Sequence, residues 1–86
     1  MLQSYCVLPL ALTVQVFFSQ RSGRLNFALV GAAGRLYGRD REHGFWHRHP
    51  FGQPAQHEPT PEGMSAQPIS QFLTEVEEIL CAHDLI

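Results

Sequence analysis

Apolar residues in the first part of the chain recur at every second position, and this alternation is the feature that most constrains the fold. From residue 10 to residue 18 the apolar set is Leu10, Leu12, Val14, Val16 and Phe18. Such a period is typical of a β-strand that buries one face. The alternation resumes over residues 25–29, after a Gln-Arg-Ser-Gly turn whose Gly23 can adopt positive φ. The two segments therefore predict an antiparallel hairpin.

Further strands are expected on both sides of this hairpin. Residues 2–8 alternate more weakly, and Pro9 marks an edge or a break after them. On the other side, the small residues at 31–34 form a turn that leads into a short strand around residues 35–39. The sequence therefore predicts an antiparallel meander of three to five strands over about residues 2–49.

The last part of the chain has a helical period instead. Ser65 or Gln67 can cap a helix that has Pro68 in its first turn, and the spacing predicts this helix over about residues 66–82. Its apolar side consists of Ile69, Phe72, Leu73, Val76, Ile79 and Leu80. Its opposite side is acidic and carries Glu75, Glu77 and Glu78.

A connector joins the predicted sheet to the predicted helix. Residues 50–64 are rich in Pro, Gly, Gln and Glu, a composition that predicts an exposed and extended segment. The simplest architecture is a single α+β domain over residues 1–86, with the C-terminal helix packed on one face of the antiparallel sheet. A core this small favours homo-oligomerisation or a bound partner.

The sequence also bears on location. No segment approaches the roughly 20 apolar residues of a membrane helix, and the apolar run at 7–12 lacks the basic start and cleavage site of a signal peptide. We therefore expect a cytoplasmic protein that does not bind a membrane. In that compartment Cys6 and Cys81 are expected to be small buried hydrophobic residues, not a disulfide.

The basic residues are unevenly distributed. All six are arginines and lie in the first 48 positions, whereas the C-terminal part is acidic. Arginine binds phosphate in a bidentate manner and stacks on bases, so an arginine-bearing sheet that faces RNA is one interpretation. The alternative is that these arginines keep the solvent faces of the strands soluble.

Residues suited to chemistry are concentrated in the segment 35–52. His47 and His49 stand two apart, so in a strand they face the same way while Arg48 faces the other. RNA cleavage without a metal needs a base, an acid and a cation for the pentavalent phosphorane. His47 and His49 are the candidates for base and acid, in either order, and Asp40 would hold an imidazolium. This reaction requires no cofactor.

The cation and the base-binding groups would come from the same segment. Arg48 or Arg39 is the candidate phosphate clamp, and Arg41 is a candidate RNA-binding residue. If Arg48 points away from the histidines, the clamp has to come from Arg39 or Arg41 on a neighbouring strand. Tyr37 and Trp46 are the candidates for stacking on RNA bases, although aromatic residues more often form core or interface contacts.

Two alternatives to a ribonuclease stay open. A His-x-His pair with a nearby acid can chelate zinc or nickel, but no further metal-binding motif supports such a site. The chain can instead be a non-catalytic module whose edge strand or Pro-rich segment binds another protein. In that case His47 and His49 are a solvated pair on an edge strand. His57, in the connector, and His83, at the helix end, receive no role.

Several of these features follow one another in a recognisable order. The run 37–49 contains Asp40, Gly44 and the His-Arg-His element, and Gly52 and the Glu-Pro pair at 58–59 follow it. The helix then carries Ile69, Phe72, Glu75 and Val76. Together these residues resemble the TumE family of small bacterial toxins.

The resemblance covers roughly residues 24–80 and has two departures. Arg41 stands where the family has an asparagine, and Pro50-Phe51 is an insertion before the glycine. The resemblance implies the toxin half of a type II toxin–antitoxin pair. It also implies a partner, a small antitoxin with a helix-turn-helix domain that is encoded beside the toxin. RNA as the target is our hypothesis from the residues themselves.

Overall fold

The computed structural model describes residues 1–7, 10–53 and 55–85. Within these residues the chain forms six strands and one helix. The elements are β1 (Leu2–Val7), β2 (Leu12–Phe18), β3 (Leu25–Gly31), β4 (Gly34–Glu42), β5 (Phe45–His49), β6 (Glu58–Pro59) and α1 (Pro68–Ala82). The helix therefore begins two residues later than its predicted range. Gln67 occupies the N-cap position without a side-chain capping bond.

The strands form one sheet in sequence order, β1 to β6, and each strand is antiparallel to the next. The α+β class, the meander and the C-terminal helix are thus confirmed. The sheet has one strand more than the predicted three to five, because β6 forms inside the predicted connector. There Pro59 lies opposite His47 and Glu58 lies opposite Arg48. Proline is tolerated in this strand because β6 lies at the edge of the described sheet.

The prediction of an exposed connector over residues 50–64 is therefore wrong in part. Thr60 is only 2% exposed, and its backbone N–H donates to the carbonyl of Trp46 over 3.1 Å. The connector is held against β5 by this bond and by the β6 pairing. The Pro and Gly residues of the connector correctly predict its turns. The pairing of β6 with β5 could not be predicted, because a strand of two residues has no periodic pattern.

A β-bulge interrupts the pairing of β3 with β4. Leu29 pairs with Tyr37, whereas the next residue, Val30, pairs with Arg35. Leu36 is therefore the extra residue, and the strand that contains it bends. As a consequence Arg35 and Tyr37, which simple alternation would place on the same face, lie on opposite faces of the sheet.

The core lies between the sheet and α1. It consists of Val14, Phe27, Leu29, Tyr37, Phe72, Val76 and Leu80. The ring of Phe72 is central, since its centroid lies 5.3 Å from that of Phe27 and 5.6 Å from that of Tyr37. The buried stripe of α1 is narrower than predicted, because Ile69 and Leu73 are exposed.

Three smaller findings complete the comparison with the predictions. Cys6 and Cys81 are free thiols in exposed positions, so the prediction that they are buried is wrong. Glu75 does not lie on the outer side of α1, and its carboxylate contacts the sheet. Among the described residues, no helix is long and apolar enough to cross a membrane.

Candidate active site

The pairing of β4 with β5 places His47 and His49 on one face of the sheet, opposite the face that α1 covers. His47 lies across from Asp40, and His49 lies across from Gly38. Alternate residues of the two strands, such as Arg39, face α1 instead. We call the side that carries Gly38, Asp40, His47 and His49 the distal face.

His49 is the most buried polar group of the distal face, with 1% of its surface exposed. Its Nδ1 atom lies 3.2 Å from Nη2 of Arg35, and its Nε2 atom lies 3.3 Å from Oδ2 of Asp40. A guanidinium can only donate hydrogen bonds, so Nδ1 accepts from Arg35 and Nε2–H donates to Asp40. The two neighbours fix the tautomer and the orientation of this imidazole.

Gly38 makes room for the contact between Arg35 and His49. A Cβ atom at this position would lie 3.3 Å from Cδ of Arg35, 3.7 Å from Cδ2 of His49 and 3.0 Å from the carbonyl oxygen of Phe27. The aliphatic part of Arg35 therefore crosses β4 over the glycine. The bulge at Leu36 and the glycine act together, because the first turns the arginine to the distal face and the second lets it reach the histidine.

A third imidazole comes from the segment that precedes β6. The ring centroid of His57 lies 4.3 Å from that of His49 and 6.4 Å from that of His47, with interplanar angles of 67° and 75°. The side chain of His57 is exposed. We call His47, His49, His57, Asp40 and Arg35 the histidine cluster. Two of its members, His57 and Arg35, were not among the predicted site residues.

The predicted phosphate clamps lie on the other side of the sheet. Arg39 and Arg48 are paired across β4 and β5 and face α1. Arg39 forms an ion pair with Glu75 at 2.7 Å, and Arg48 forms one with Glu58. The prediction that Arg39 replaces Arg48 beside the histidines is wrong, because directly opposed residues in an antiparallel pair share a face.

Arg41 and Trp46, which also oppose each other, contact one another on the α1 side. The guanidinium of Arg41 lies 5.6 Å from the Trp46 ring centroid, within the range of a cation–π contact. The Trp46 ring also stacks on Phe27, with centroids 6.1 Å apart. Arg41 and Trp46, both predicted to bind RNA, therefore make contacts inside the domain instead. The exposed aromatic ring of β5 is Phe45, which is 71% exposed.

Tyr37 was predicted to stack on RNA bases, but it is 5% exposed and belongs to the core. Its hydroxyl donates to Oε1 of Glu75 over 2.7 Å, and the Arg39 guanidinium donates to both carboxylate oxygens of Glu75. Gln71 adds a fourth hydrogen bond, at 3.1 Å. This network fastens α1 to β4, so the predicted stacking role of Tyr37 is wrong.

The network shifts the pKa values of its members. Burial and the hydrogen bond to Glu75 raise the pKa of Tyr37 to about 12. Burial alone would raise the pKa of Glu75, but the hydrogen bonds from Arg39, Tyr37 and Gln71 outweigh it and hold that pKa below its ordinary value. Likewise, burial opposes the charge of Arg39, and the pairing with Glu75 outweighs it, so the pKa of Arg39 is raised. Glu75 and Arg39 therefore form a charged pair beneath α1.

Neither a metal-binding arrangement of the described residues nor a similar protein identifies a function for the histidine cluster. Among the residues described here, no group of three or more His, Cys, Asp or Glu side chains is arranged to hold a metal ion. No family model, no curated protein and no solved structure matches this chain.

Proposed function

We propose that this chain is a metal-independent endoribonuclease that acts as the toxin of a toxin–antitoxin pair. The observation that carries the proposal is the histidine cluster, where three imidazoles, a carboxylate and a guanidinium meet on the distal face. The resemblance of the His-Arg-His segment and its surroundings to the TumE family supports the toxin part. It suggests a helix-turn-helix antitoxin as the partner and the cytoplasm as the site of action.

The reaction is a transesterification within RNA. One imidazole takes the proton of a 2′-hydroxyl, and the 2′-oxygen forms a bond to the adjacent phosphorus. The bond from phosphorus to the 5′-oxygen breaks, and a second, protonated imidazole gives its proton to that oxygen. The products are a 2′,3′-cyclic phosphate and a 5′-hydroxyl. Histidine suits both roles because this side chain changes protonation between about pH 5 and 8.

His47 and His57 are the two imidazoles that the proposal assigns to proton transfer. Their ring centroids lie 6.4 Å apart, and the rings stand nearly perpendicular to each other. Hydrogen bonds of about 2.7–3.2 Å allow both rings to contact oxygen atoms of one phosphodiester that lies against the edges of both rings. His57 is exposed and His47 is half-buried, so substrate can reach both. Either ring can act as the base while the other acts as the acid.

His49 and Arg35 have different roles in this proposal. His49 is buried, and its two ring nitrogens contact Arg35 and Asp40, so we assign it a positioning role. The side chain of Arg35 is exposed on the distal face, and its Nη2 atom lies 3.2 Å from Nδ1 of His49. Because a guanidinium is suited to binding phosphate, Arg35 replaces Arg39 and Arg48 as the proposed clamp.

The decisive experiment incubates the purified full chain with single-stranded RNA in the presence of EDTA. We expect cleavage that leaves cyclic-phosphate ends. His57→Asn should reduce the rate by about 10²- to 10⁴-fold, since it removes a general acid or base. The matched control is His43→Asn, because His43 is exposed in a turn with φ of 54°, a conformation that asparagine tolerates. Full cleavage by His57→Asn would refute the assignment.

A non-catalytic interaction module is the second candidate, and strand β1 favours it. Strand β1 lies at the edge of the described sheet, and its residues Leu2 and Tyr5 are exposed. An uncovered edge strand can accept a strand from a partner. Induced expression in bacteria separates the two candidates. Growth arrest that persists in His47→Asn and His57→Asn variants would support binding without chemistry, whereas arrest that needs both histidines supports the ribonuclease.

A further inference from the structure

A cavity adjoins the histidine cluster at His47. It has a volume of about 260 Å³ and lies between β5 and the segment that follows β6. Its walls include Phe45, Trp46, His47, Pro59, Thr60 and Pro61. Because His47 belongs both to this cavity and to the histidine cluster, a ligand that extends from one to the other would pass along the same imidazole.

We propose that this cavity binds a nucleobase of single-stranded RNA and thereby places the adjoining phosphate at the histidine cluster. The inference rests on the proposed ribonuclease function and adds the recognition of the base. A nucleobase is a flat ring with polar groups on its edge. The cavity offers both kinds of surface that such a ring needs, apolar walls and a hydroxyl.

The walls of the cavity suit a flat ring. Phe45 is 71% exposed, so one face of a base can stack on it without displacing other side chains. Trp46 is held in place by Phe27 and Arg41 and forms an apolar wall. Gly63, also at the cavity, has φ of 70°, and a Cβ atom there would lie 3.6 Å from Cδ1 of Trp46. A side chain at this glycine would therefore narrow the space beside the indole.

Thr60 supplies a polar group at the same cavity. Thr60 is only 2% exposed, and its Oγ1 atom has no hydrogen-bond partner within the described residues. A buried hydroxyl without a partner is unfavourable, so a ligand that pairs with it gains affinity. A hydroxyl both donates and accepts, and rotation about χ1 can turn it toward the cavity. It can therefore bind the edge of any of the four bases.

The first test uses Trp46 as its reporter, because it is the only tryptophan of the chain and lines the cavity. The full-length protein is titrated with uridine, cytidine, adenosine and guanosine 5′-monophosphates and with ribose 5-phosphate, and the Trp46 emission is followed. We expect the nucleotides to bind at least about tenfold more tightly than the sugar phosphate, since base stacking on an aromatic ring contributes roughly that factor. Equal affinities would overturn the proposal.

The second test changes the cavity itself. Thr60→Val replaces the hydroxyl by a methyl group of similar size and should weaken nucleotide binding about tenfold, whereas Thr60→Ser keeps the hydroxyl and should bind like the wild type. Phe45→Ala should also weaken binding, and its exposed position means that it leaves the fold intact. Thermal unfolding of each variant checks the fold. Unchanged nucleotide affinity in both Thr60→Val and Phe45→Ala would overturn the proposal.

RNA cleavage by the same variants separates this inference from the proposed function. Slower cleavage by Thr60→Val and Phe45→Ala, together with weaker nucleotide binding, supports both. Wild-type cleavage rates in the two variants would refute the base-binding role of the cavity and would still be consistent with the ribonuclease function. If nucleotide binding depends on Thr60 and Phe45 but the protein does not cleave RNA, the ribonuclease function is refuted and the base-binding role of the cavity is supported.

Discussion

The two faces of the β4–β5 pair differ in how their charged and titratable side chains are held. On the α1 side, Arg39 and Arg48 each contact a carboxylate, and Arg39 is buried. On the distal face, His57 and Arg35 remain exposed beside the buried His49. One set of alternating residues in β4 and β5 therefore forms ion pairs on the α1 side, whereas the exposed groups of the distal face are Arg35, which the bulge in β4 places there, and His57, which lies outside both strands.

The difference has a physical basis in burial. Charges beneath α1 have lost much of their hydration, so they are tolerated only because they are paired and hydrogen-bonded. Exposed side chains keep their hydration and can exchange protons and bind ligands. We therefore expect substitutions on the α1 side to act mainly on stability, and substitutions at exposed distal positions to act mainly on function.

The largest expected effect on stability is that of Glu75→Ala. This change removes the carboxylate that accepts hydrogen bonds from Tyr37, Arg39 and Gln71, and it leaves the Arg39 guanidinium buried without its counterion. We expect a loss of about 3 kcal/mol in the free energy of unfolding, measured with urea. Glu78→Ala, at an exposed position on the same helix, is the matched control and should change it by less than about 0.5 kcal/mol.

The double variant Arg39→Met, Glu75→Leu extends this test. Replacing a buried ion pair by apolar side chains of similar size is often neutral or stabilising, so the double variant should be more stable than Glu75→Ala. If it is as unstable as the single variant, the hydrogen bond of Tyr37 to Glu75, not the ion pair, is the main link between α1 and the sheet.

Acid should weaken the α1 side selectively. The pKa of Glu75 is lower in the folded protein than its ordinary value of 4.5, so its contribution to stability is present above that value. It is lost as the pH falls through the lower folded pKa. The free energy of unfolding should therefore fall more steeply with acid in the wild type than in the Arg39→Met, Glu75→Leu variant. Parallel curves for the two proteins would contradict this origin.

Periodicity in the sequence was sufficient to predict the meander over residues 2–49 and the helix α1, and it was insufficient for β6 and for the site. The strands and the helix depend on local alternation, which each segment carries by itself. The shared face of His47 and His49 also follows from local alternation. The partners of these histidines do not, because Arg35 reaches the distal face only through the bulge at Leu36. His57 joins the cluster only because a short strand pairs across the sheet edge.

The burial and ion pairing of Arg39 also could not be predicted from local pattern. Arg39 was a candidate clamp because arginine binds phosphate, yet its partner is Glu75, 36 positions along the chain. An acidic residue on a helix is usually assigned to the solvent side, and only the three-dimensional crossing of α1 over β4 brings the two together. Contacts between elements decide which charged residues remain available to a ligand.

Among the stabilising contacts considered, Gly38→Ala should cause the smallest loss of stability, and it tests the distal face most directly. The added Cβ would lie 3.0 Å from the Phe27 carbonyl oxygen and 3.3 Å from Cδ of Arg35. The backbone oxygen can shift only slightly, so we expect a loss of about 1 kcal/mol in the free energy of unfolding. The flexible Arg35 side chain can move further, and its displacement would break the contact with His49.

RNA cleavage should therefore fall by more than the small loss of stability explains. The matched control is Arg35→Met, which keeps an unbranched side chain over Gly38 but removes the guanidinium. If Gly38→Ala acts by displacing Arg35, adding it to Arg35→Met should cause little further loss of cleavage. A full additional loss in the double variant would show that the glycine acts on the site through the backbone instead. The contrast between the two faces would then depend on the shape of β4 and not on Arg35.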